Sequence, residues 1–456
     1  MIPFKNTYSK LPSQFYQRVM PAKYPAPKLI AYNEELANEL GISISENHAE
    51  IFSGQVIPEG AEPLAMAYAG FQFGHPVPEL GDGRALLLGE VNGFDLHFKG
   101  SGRTPFSRRG DGKSALGPVI REYIVSEAMN ALGIPTTRAL AAVATGEEVL
   151  RQFGQEPGGV FTRVASSHIR VGTFQYFAFK QDLKSLEILL DYTISRHYPH
   201  LLKLETTKEK ALGLLREVSD RQGDLIAQWS GVGFIHGVMN TDNCHVGGIT
   251  IDYGPCAFMD EFKFNKVFSS IDERGRYSFF NQVPVIQWNI MRLADCFVPF
   301  FGEELPEDIY QILNSFPERR MKAFAKKMGI TDYEAQDEKL VMEYLAYLEK
   351  NELDFTDSFR ALARKHGEKD SSEHPIFTQW RERVKSVDQL DQINPLYIPR
   401  NHLVQKAIET VYQGDLSFFK MLHVVLKDPF KYHPDYGDFF KAPQKSERIT
   451  RTFCGT

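Results

Sequence analysis

His236-Gly237-Val238-Met239-Asn240-Thr241-Asp242-Asn243, followed by Ile251-Asp252-Tyr253-Gly254, is the stretch whose reading decides the fold. A polar loop carrying an amide and a carboxylate precedes two short strands expected between His236 and Tyr253, and an Asp-Tyr-Gly turn follows. Asn243 and Asp252 offer hard oxygen ligands of the kind Mg²⁺ prefers, with phosphate oxygens to complete its octahedron. Asp242 is a free carboxylate beside them and could accept a hydroxyl proton. His236 reads as a structural histidine holding the loop, because no second His or Cys stands at metal-ligand spacing. A turn-rich hairpin with side-chain caps is the bland alternative, and three converging polar groups argue against it.

Working outward, Arg84 to Glu90 reads as a strand, Asn92-Gly93 as a turn, and Phe94 to Lys99 as the next strand. A helix starts at Pro118, stops at Gly133 and is kept from resuming by Pro135. Lys99 near the strand end and Glu122 on that helix can form a pair in which the lysine holds phosphate oxygens and the carboxylate positions it. Protein kinases use such a pair. Glu127 is a competing partner, and spacing alone favours a surface lysine with a solvated glutamate. Gly81 and Gly83 flank Asp82 ahead of Arg84, a pattern suited to a backbone anion nest with a bidentate arginine, or to an ordinary turn. Gly100-Ser101-Gly102 and Gly110-Asp111-Gly112 read the same way, and none of these carries a Walker ending or a dinucleotide fingerprint. Arg163 and Arg170 could neutralise a triphosphate together with Lys99 and Arg84.

The 456 residues include 43% hydrophobic side chains, which excludes wholesale disorder. With 52 basic and 58 acidic residues the net charge is -6, which argues against nucleic acid as a partner. No apolar run approaches a membrane span or a signal peptide. Cys244, Cys256, Cys296 and Cys454 are too scattered for a disulfide scaffold or a zinc site, so a cytoplasmic protein with reduced thiols is expected. Val160 to Arg163 and Thr173 to Phe179 read as further strands. Helical periodicity dominates Ser185 to Val218, Val285 to Phe297, Glu338 to Glu349, Leu403 to Tyr412 and Leu416 to Leu426. The expected class is α+β, with two lobes bracketing a polar cleft. Residues 1–180 would form a strand-rich N-terminal lobe with the Lys-Glu pair. Residues 181–456 would form a mainly helical C-terminal lobe with the metal-binding and catalytic loop and a Cys-containing tail.

The loop resembles the kinase catalytic loop and then departs from it. Kinases place the metal-binding Asn five residues after the catalytic Asp. Counting back from Asn243 puts Val238 at that position, and valine cannot accept a proton. Either the reaction is not ordinary phosphoryl transfer or the base comes from elsewhere, with Asp242 the nearest carboxylate. An ordinary kinase transferring the γ-phosphate and a non-catalytic nucleotide-binding scaffold remain as rival readings.

The sequence resembles the selenoprotein O, or YdiU, family of protein adenylyltransferases. The matching text includes Leu80 to Ala85, Lys99 to Gly102, Ser126 to Met129, Gly133 to Leu140, His236 to Asn243, Thr250 to Pro255, Asn394 to His402 and Thr452 to Thr456. The resemblance implies a kinase-like fold that binds ATP in an inverted orientation. It implies transfer of AMP to Ser, Thr or Tyr hydroxyls of proteins with release of pyrophosphate, and for some members UMP transfer with Mn²⁺. Carried over by motif, Lys99 and Glu122 would be the ion pair on the phosphates. Gly81, Gly83, Arg84, Asp111, Gly112, Arg163 and Arg170 would contact ATP. Asn243 and Asp252 would bind Mg²⁺, and Asp242 would take the proton.

Three departures touch no implied ligand: Phe71 where the family has histidine, Lys113 where it has arginine, and Val171 where it has phenylalanine. The fourth concerns redox control. The resemblance implies a bond between the near-terminal Cys and a Cys in the loop after Asp-Tyr-Gly, and Phe268 stands at that position. Loss of the switch is therefore expected. Cys256 is the nearest substitute partner for Cys454, although its setting also fits a buried apolar thiol.

Overall fold

The computed structural model describes residues 1–152, 154–302, 304–365 and 374–453. Its centre is an antiparallel sheet with strands in the order Tyr16–Arg18, Leu64–Met66, Ala85–Val91, Phe94–Lys99, Gly154–Ala165, Arg138–Arg151 and Lys28–Tyr32. The short Ser114–Ala115 strand also pairs with Gly154–Ala165. In Phe94–Lys99 the side chains alternate between faces, so Asp95, His97 and Lys99 share one face. Lys99 lies opposite Phe161, and His97 lies opposite Arg163.

The Leu116–Ala131 helix packs on this sheet. Its apolar side chains bury against Ala139, Ala142 and Phe161 on one side and against Val404, Ile408, Phe419 and Leu422 on the other. Those last four belong to the Asn401–Tyr412 and Ser417–Leu426 helices, so the end of the chain returns to the strand-rich part. The helix ends as its sequence predicts: Gly133 adopts φ +75°, and the Ile134 amide reaches back to the Met129 carbonyl at 3.0 Å.

Beyond Ala165 the structure is mainly helical. The 25-residue Thr207–Gly231 helix starts at a reciprocal cap in which Thr206 and Glu209 bond each other's backbone amides. It packs against the Gln282–Phe301 and Phe316–Lys327 helices. A second apolar cluster, centred on Phe279, Phe324, Phe355 and Trp380, closes the far side. The whole is a two-lobed, kinase-like α+β fold.

Two expected elements are corrected. Thr173 to Phe179 is not a strand but part of the Val171–Phe179 helix. Seven of that helix's nine residues, Val171 to Phe177, are buried, so no polar face marks a helical period, and aromatic content alone suggests a strand. Thr173 gives the start signal: its Oγ1 accepts from the Arg170 amide at 3.1 Å. The two short strands expected inside His236 to Tyr253 lie outside it instead, as Phe234–Ile235 paired with Ala257–Phe258. Between them the backbone is satisfied by a 3-10 turn at Thr241–Asn243, by side-chain bonds, and by single bridges from His245 to Arg170 and from Thr250 to Thr136.

Candidate functional site

Two adjoining cavities open between the sheet and the His236 to Gly254 segment. The larger, about 700 Å³, is lined by Gly81, Gly83, Arg84, Asp111, Gly112 and Asp242 among others. The smaller, about 300 Å³, is lined by Lys99, Arg163, Arg170, Asn243 and Asp252. Tyr68, Gln72, Gly83, Arg84 and Asp242 line both, so the two share a wall. Their size suits a ligand larger than a simple anion.

Lys99 Nζ donates to Glu122 Oε2 at 2.6 Å and to Asp252 Oδ1 at 2.9 Å. Arg163 Nη1 reaches the same Asp252 oxygen at 2.7 Å and Glu122 Oε1 at 3.3 Å. Glu127, the competing partner in sequence, is taken by Arg138 and Asn33. Burial would raise the Asp252 carboxyl, but Arg163, Lys99 and Arg170 outweigh it and hold the group well below the usual range. Asp252 sits at φ +64°, a left-handed conformation uncommon for a non-glycine residue, and this aims its carboxylate at the three cations.

Arg170 precedes the Val171–Phe179 helix and is buried. Its guanidinium lies over the Tyr68 ring at 4.4 Å, its Nη1 donates a long bond to the His168 carbonyl at 3.5 Å, its nearest carboxylates are 3.7 and 3.9 Å away, and its Nε has no hydrogen-bond partner. A buried guanidinium so loosely held is suited to an anion in the cavity. Gly81 takes φ +60°, and any side chain there would run into the Phe106 ring. Asp111 lies at the outer rim, where Arg151 holds it at 2.9 Å.

In the loop, His236 does what its sequence suggests: its imidazole donates to the Ile251 carbonyl at 2.8 Å and stacks on Trp229. Asn243 Nδ2 donates to the Val238 carbonyl at 2.9 Å. The residue at the kinase base position thus contributes its backbone alone, orienting the Asn243 amide. Asp242 Oδ1 is buried with no hydrogen-bond partner, and burial pushes this carboxyl up to about 7.

The donor set fits a hard divalent cation. Asn243 and Asp252 line one cavity, and Asp252 Oδ2 lies 3.7 Å from Arg170. Among the described residues no three His, Cys, Asp or Glu side chains form a metal cage, and a Mg²⁺ held by one or two protein oxygens and by phosphates needs none.

Sequence reasoning missed Tyr68, Gln72 and Gly70. The Phe71 amide donates to Thr241 Oγ1 at 2.7 Å and the Phe73 amide to Asn240 Oδ1 at 3.1 Å, so the Gly70–Gln72 strand is tied to the loop. A Cβ on Gly70 would come within 2.5 Å of Asp242 Oδ1. The available signal was the glycine-flanked Gly70-Phe71-Gln72-Phe73-Gly74 itself.

Cys454 lies outside the described residues, and so does any Cys256–Cys454 bond. The preceding residue pair is placed: the Thr452 amide donates to the Phe268 carbonyl at 2.8 Å, and the Ser270 amide to the Thr452 carbonyl at 2.9 Å. Cys256 is buried, and burial pushes its thiol up to about 12.

The model of the family described as protein adenylyltransferase SelO matches residues 1–427. A protein nucleotidyltransferase YdiU of Agrobacterium fabrum strain C58 is 49% identical, with 100% of each chain covered. A protein of the same name from Bradyrhizobium diazoefficiens is 48% identical over 100% of this chain and 99% of its own. Another from Jannaschia sp. strain CCS1 is 46% identical with the same coverage. Similarity of that depth along the full chain, on a kinase-like fold, shows that this chain belongs to the SelO family.

Proposed function

We propose that this protein is an ATP- and divalent-metal-dependent nucleotidyltransferase that moves AMP from ATP to Ser, Thr or Tyr hydroxyls of proteins and releases pyrophosphate. The observation that carries it is the unpartnered Asp242 carboxylate oxygen in the same cavity as the Lys99, Arg163 and Arg170 cluster, with valine at the kinase base position. Gly81, Gly83, Arg84, Asp111 and Gly112 would line the nucleotide. Lys99, positioned by Glu122, would bind phosphate with Arg163 and Arg170.

Asn243 and Asp252 would hold Mg²⁺, or Mn²⁺ for UMP transfer. Such an ion neutralises phosphate charge and polarises the phosphoryl oxygens. As the acceptor oxygen bonds to the α-phosphorus and the bridge to the β-phosphate breaks, Asp242 Oδ1 would receive the hydroxyl proton. A carboxyl near 7 is matched to that task at neutral pH. Buried free thiols at Cys244, Cys256 and Cys296 suit a reducing compartment, and we place the protein in the cytoplasm. No helix among the described residues is long and apolar enough to cross a membrane.

Mass spectrometry of a protein acceptor after incubation with ATP and Mg²⁺ tests this reading. A mass gain equal to AMP is expected. A gain equal to phosphate would overturn it.

A further inference from the structure

At the wall of the smaller cavity, which His97 lines, two histidines face each other between strands and loop. His97 and His168 are fully buried, and their rings stack with centroids 4.1 Å apart and planes 17° from parallel. Arg163 Nε donates to His168 Nε2 at 3.2 Å, and Arg163 Nη2 lies 3.4 Å from His97 Nδ1. A guanidinium only donates, so both of these ring nitrogens accept and carry no proton. The other two ring nitrogens meet carboxylates: His97 Nε2 lies 3.1 Å from Asp82 Oδ2, and His168 Nδ1 lies 3.0 Å from Asp95 Oδ2. These carboxylates accept, so those nitrogens carry the proton. Both histidines are therefore neutral, His97 as the Nε2–H tautomer and His168 as the Nδ1–H tautomer. Burial acts the same way, lowering the pKa of each.

The arrangement extends outward in both directions. The Met66 amide donates to Asp82 at 3.0 Å, and Arg196 donates to Asp95 at 2.9 Å. On the cavity side, Arg163 Nη1 meets Asp252 and Glu122. Each guanidinium nitrogen of Arg163 is thus tied before any ligand enters.

We propose that His97 and His168 are positioning residues: as complementary neutral tautomers they fix the Arg163 guanidinium in the plane and orientation that meets the nucleotide phosphates. This rests on the nucleotidyl-transfer reading. Fixing an arginine in advance removes rotamer freedom that binding would otherwise have to remove.

An amide exchange in the full-length chain tests it. His97→Asn and His168→Gln place an amide oxygen near the nitrogen that faces Arg163. His97→Gln and His168→Asn keep instead an N–H near the carboxylate. Calorimetry with ATP and Mg²⁺, kcat and KM for AMP transfer, and Tm are measured for all four, each alone and with Arg163→Lys. The first two variants should stay within about threefold of the original Kd, and the second two should weaken ATP binding about tenfold, the scale of one lost hydrogen bond. With Arg163→Lys the difference between the pairs should vanish. Equal losses in both pairs, the reverse order, or a difference that persists with Arg163→Lys would overturn the proposal. Should His97→Gln or His168→Asn not fold, the two Arg163-facing variants decide: a loss of ATP affinity of about tenfold or more in both overturns it. Binding is read apart from transfer, so a wild-type chain that binds ATP and transfers no AMP would refute the transfer reading while the binding comparison still decides positioning.

Discussion

Lys99 donates to the Asp252 carboxylate at 2.9 Å, joining the sheet to the loop across 153 residues of chain. The same oxygen accepts from Arg163, so Asp252 balances the positive charge gathered in the cavity. Asp252→Ala would leave Lys99 and Arg163 facing Glu122 alone, and Arg170 facing Asp82 at 3.9 Å. Breaking a buried pair in this way costs about 3–5 kcal/mol of stability. ATP affinity should also lose its dependence on Mg²⁺, which calorimetry with and without the ion would read. A Mg²⁺ requirement as strong as in the wild type would place the ion on other residues.

Asp242→Asn should slow AMP transfer about 10²- to 10⁴-fold, the usual loss for a general base, and leave the Kd for ATP within about twofold. Its Oδ1 has no protein partner to lose, so the fold should tolerate the change. Single-turnover rates beside calorimetry separate the two effects. Transfer at the wild-type rate would remove Asp242 from the proton-accepting role.

Gly70→Ala tests the same carboxylate by displacement. The added methyl would sit 2.5 Å from Asp242 Oδ1, so one of the two must move. Overpacking of this kind costs about 1–3 kcal/mol. The expected kinetic signature is a kcat at least tenfold lower with little change in KM for ATP. A variant with unaltered kcat would mean that the Asp242 position is not set by Gly70.

Stability should depend on pH through a cluster that does not line the two cavities. Arg400 is buried against Asp260, Asp354 and Asp357. Burial, helped by Asp354 and Glu261 against the pull of Arg400, pushes the Asp260 carboxyl up to about 6, above its ordinary 3.8. A carboxyl raised on folding binds its proton more tightly in the folded state. The stability it adds is complete below the unfolded value and is lost as pH rises through 6. Denaturant unfolding should therefore show a decline of about 1–3 kcal/mol from pH 4.5 to 7.5 at this site. Asp260→Asn should reduce that slope, and an unchanged slope would assign the effect to other groups.

Much of the site was legible because its residues sit in short polar runs with little else to do. The structure brings Asp242, Asn243 and Asp252 to one cavity and bonds Lys99 to Glu122, a pair whose spacing alone favoured two solvated side chains. Buried elements were harder. The Arg138–Arg151 strand went unread because Ala139, Ala141, Ala142 and Ala144 give neither alternation nor strand preference, and pairing with Gly154–Ala165 and Lys28–Tyr32 makes it a strand. The Val171–Phe179 helix misled for the complementary reason, being apolar almost all round. Asp95 and His97 were present as the polar half of an alternating strand, Phe94-Asp95-Leu96-His97-Phe98-Lys99, but the sequence could not say that this polar face is buried.

The central claim is that AMP, not phosphate, is transferred. The direct measurement is incubation of the protein and an acceptor with excess Mg²⁺ and ATP labelled either on the α- or on the γ-phosphate. The account predicts stable α-label on protein and none from the γ-phosphate. Stable γ-label without α-label would contradict it.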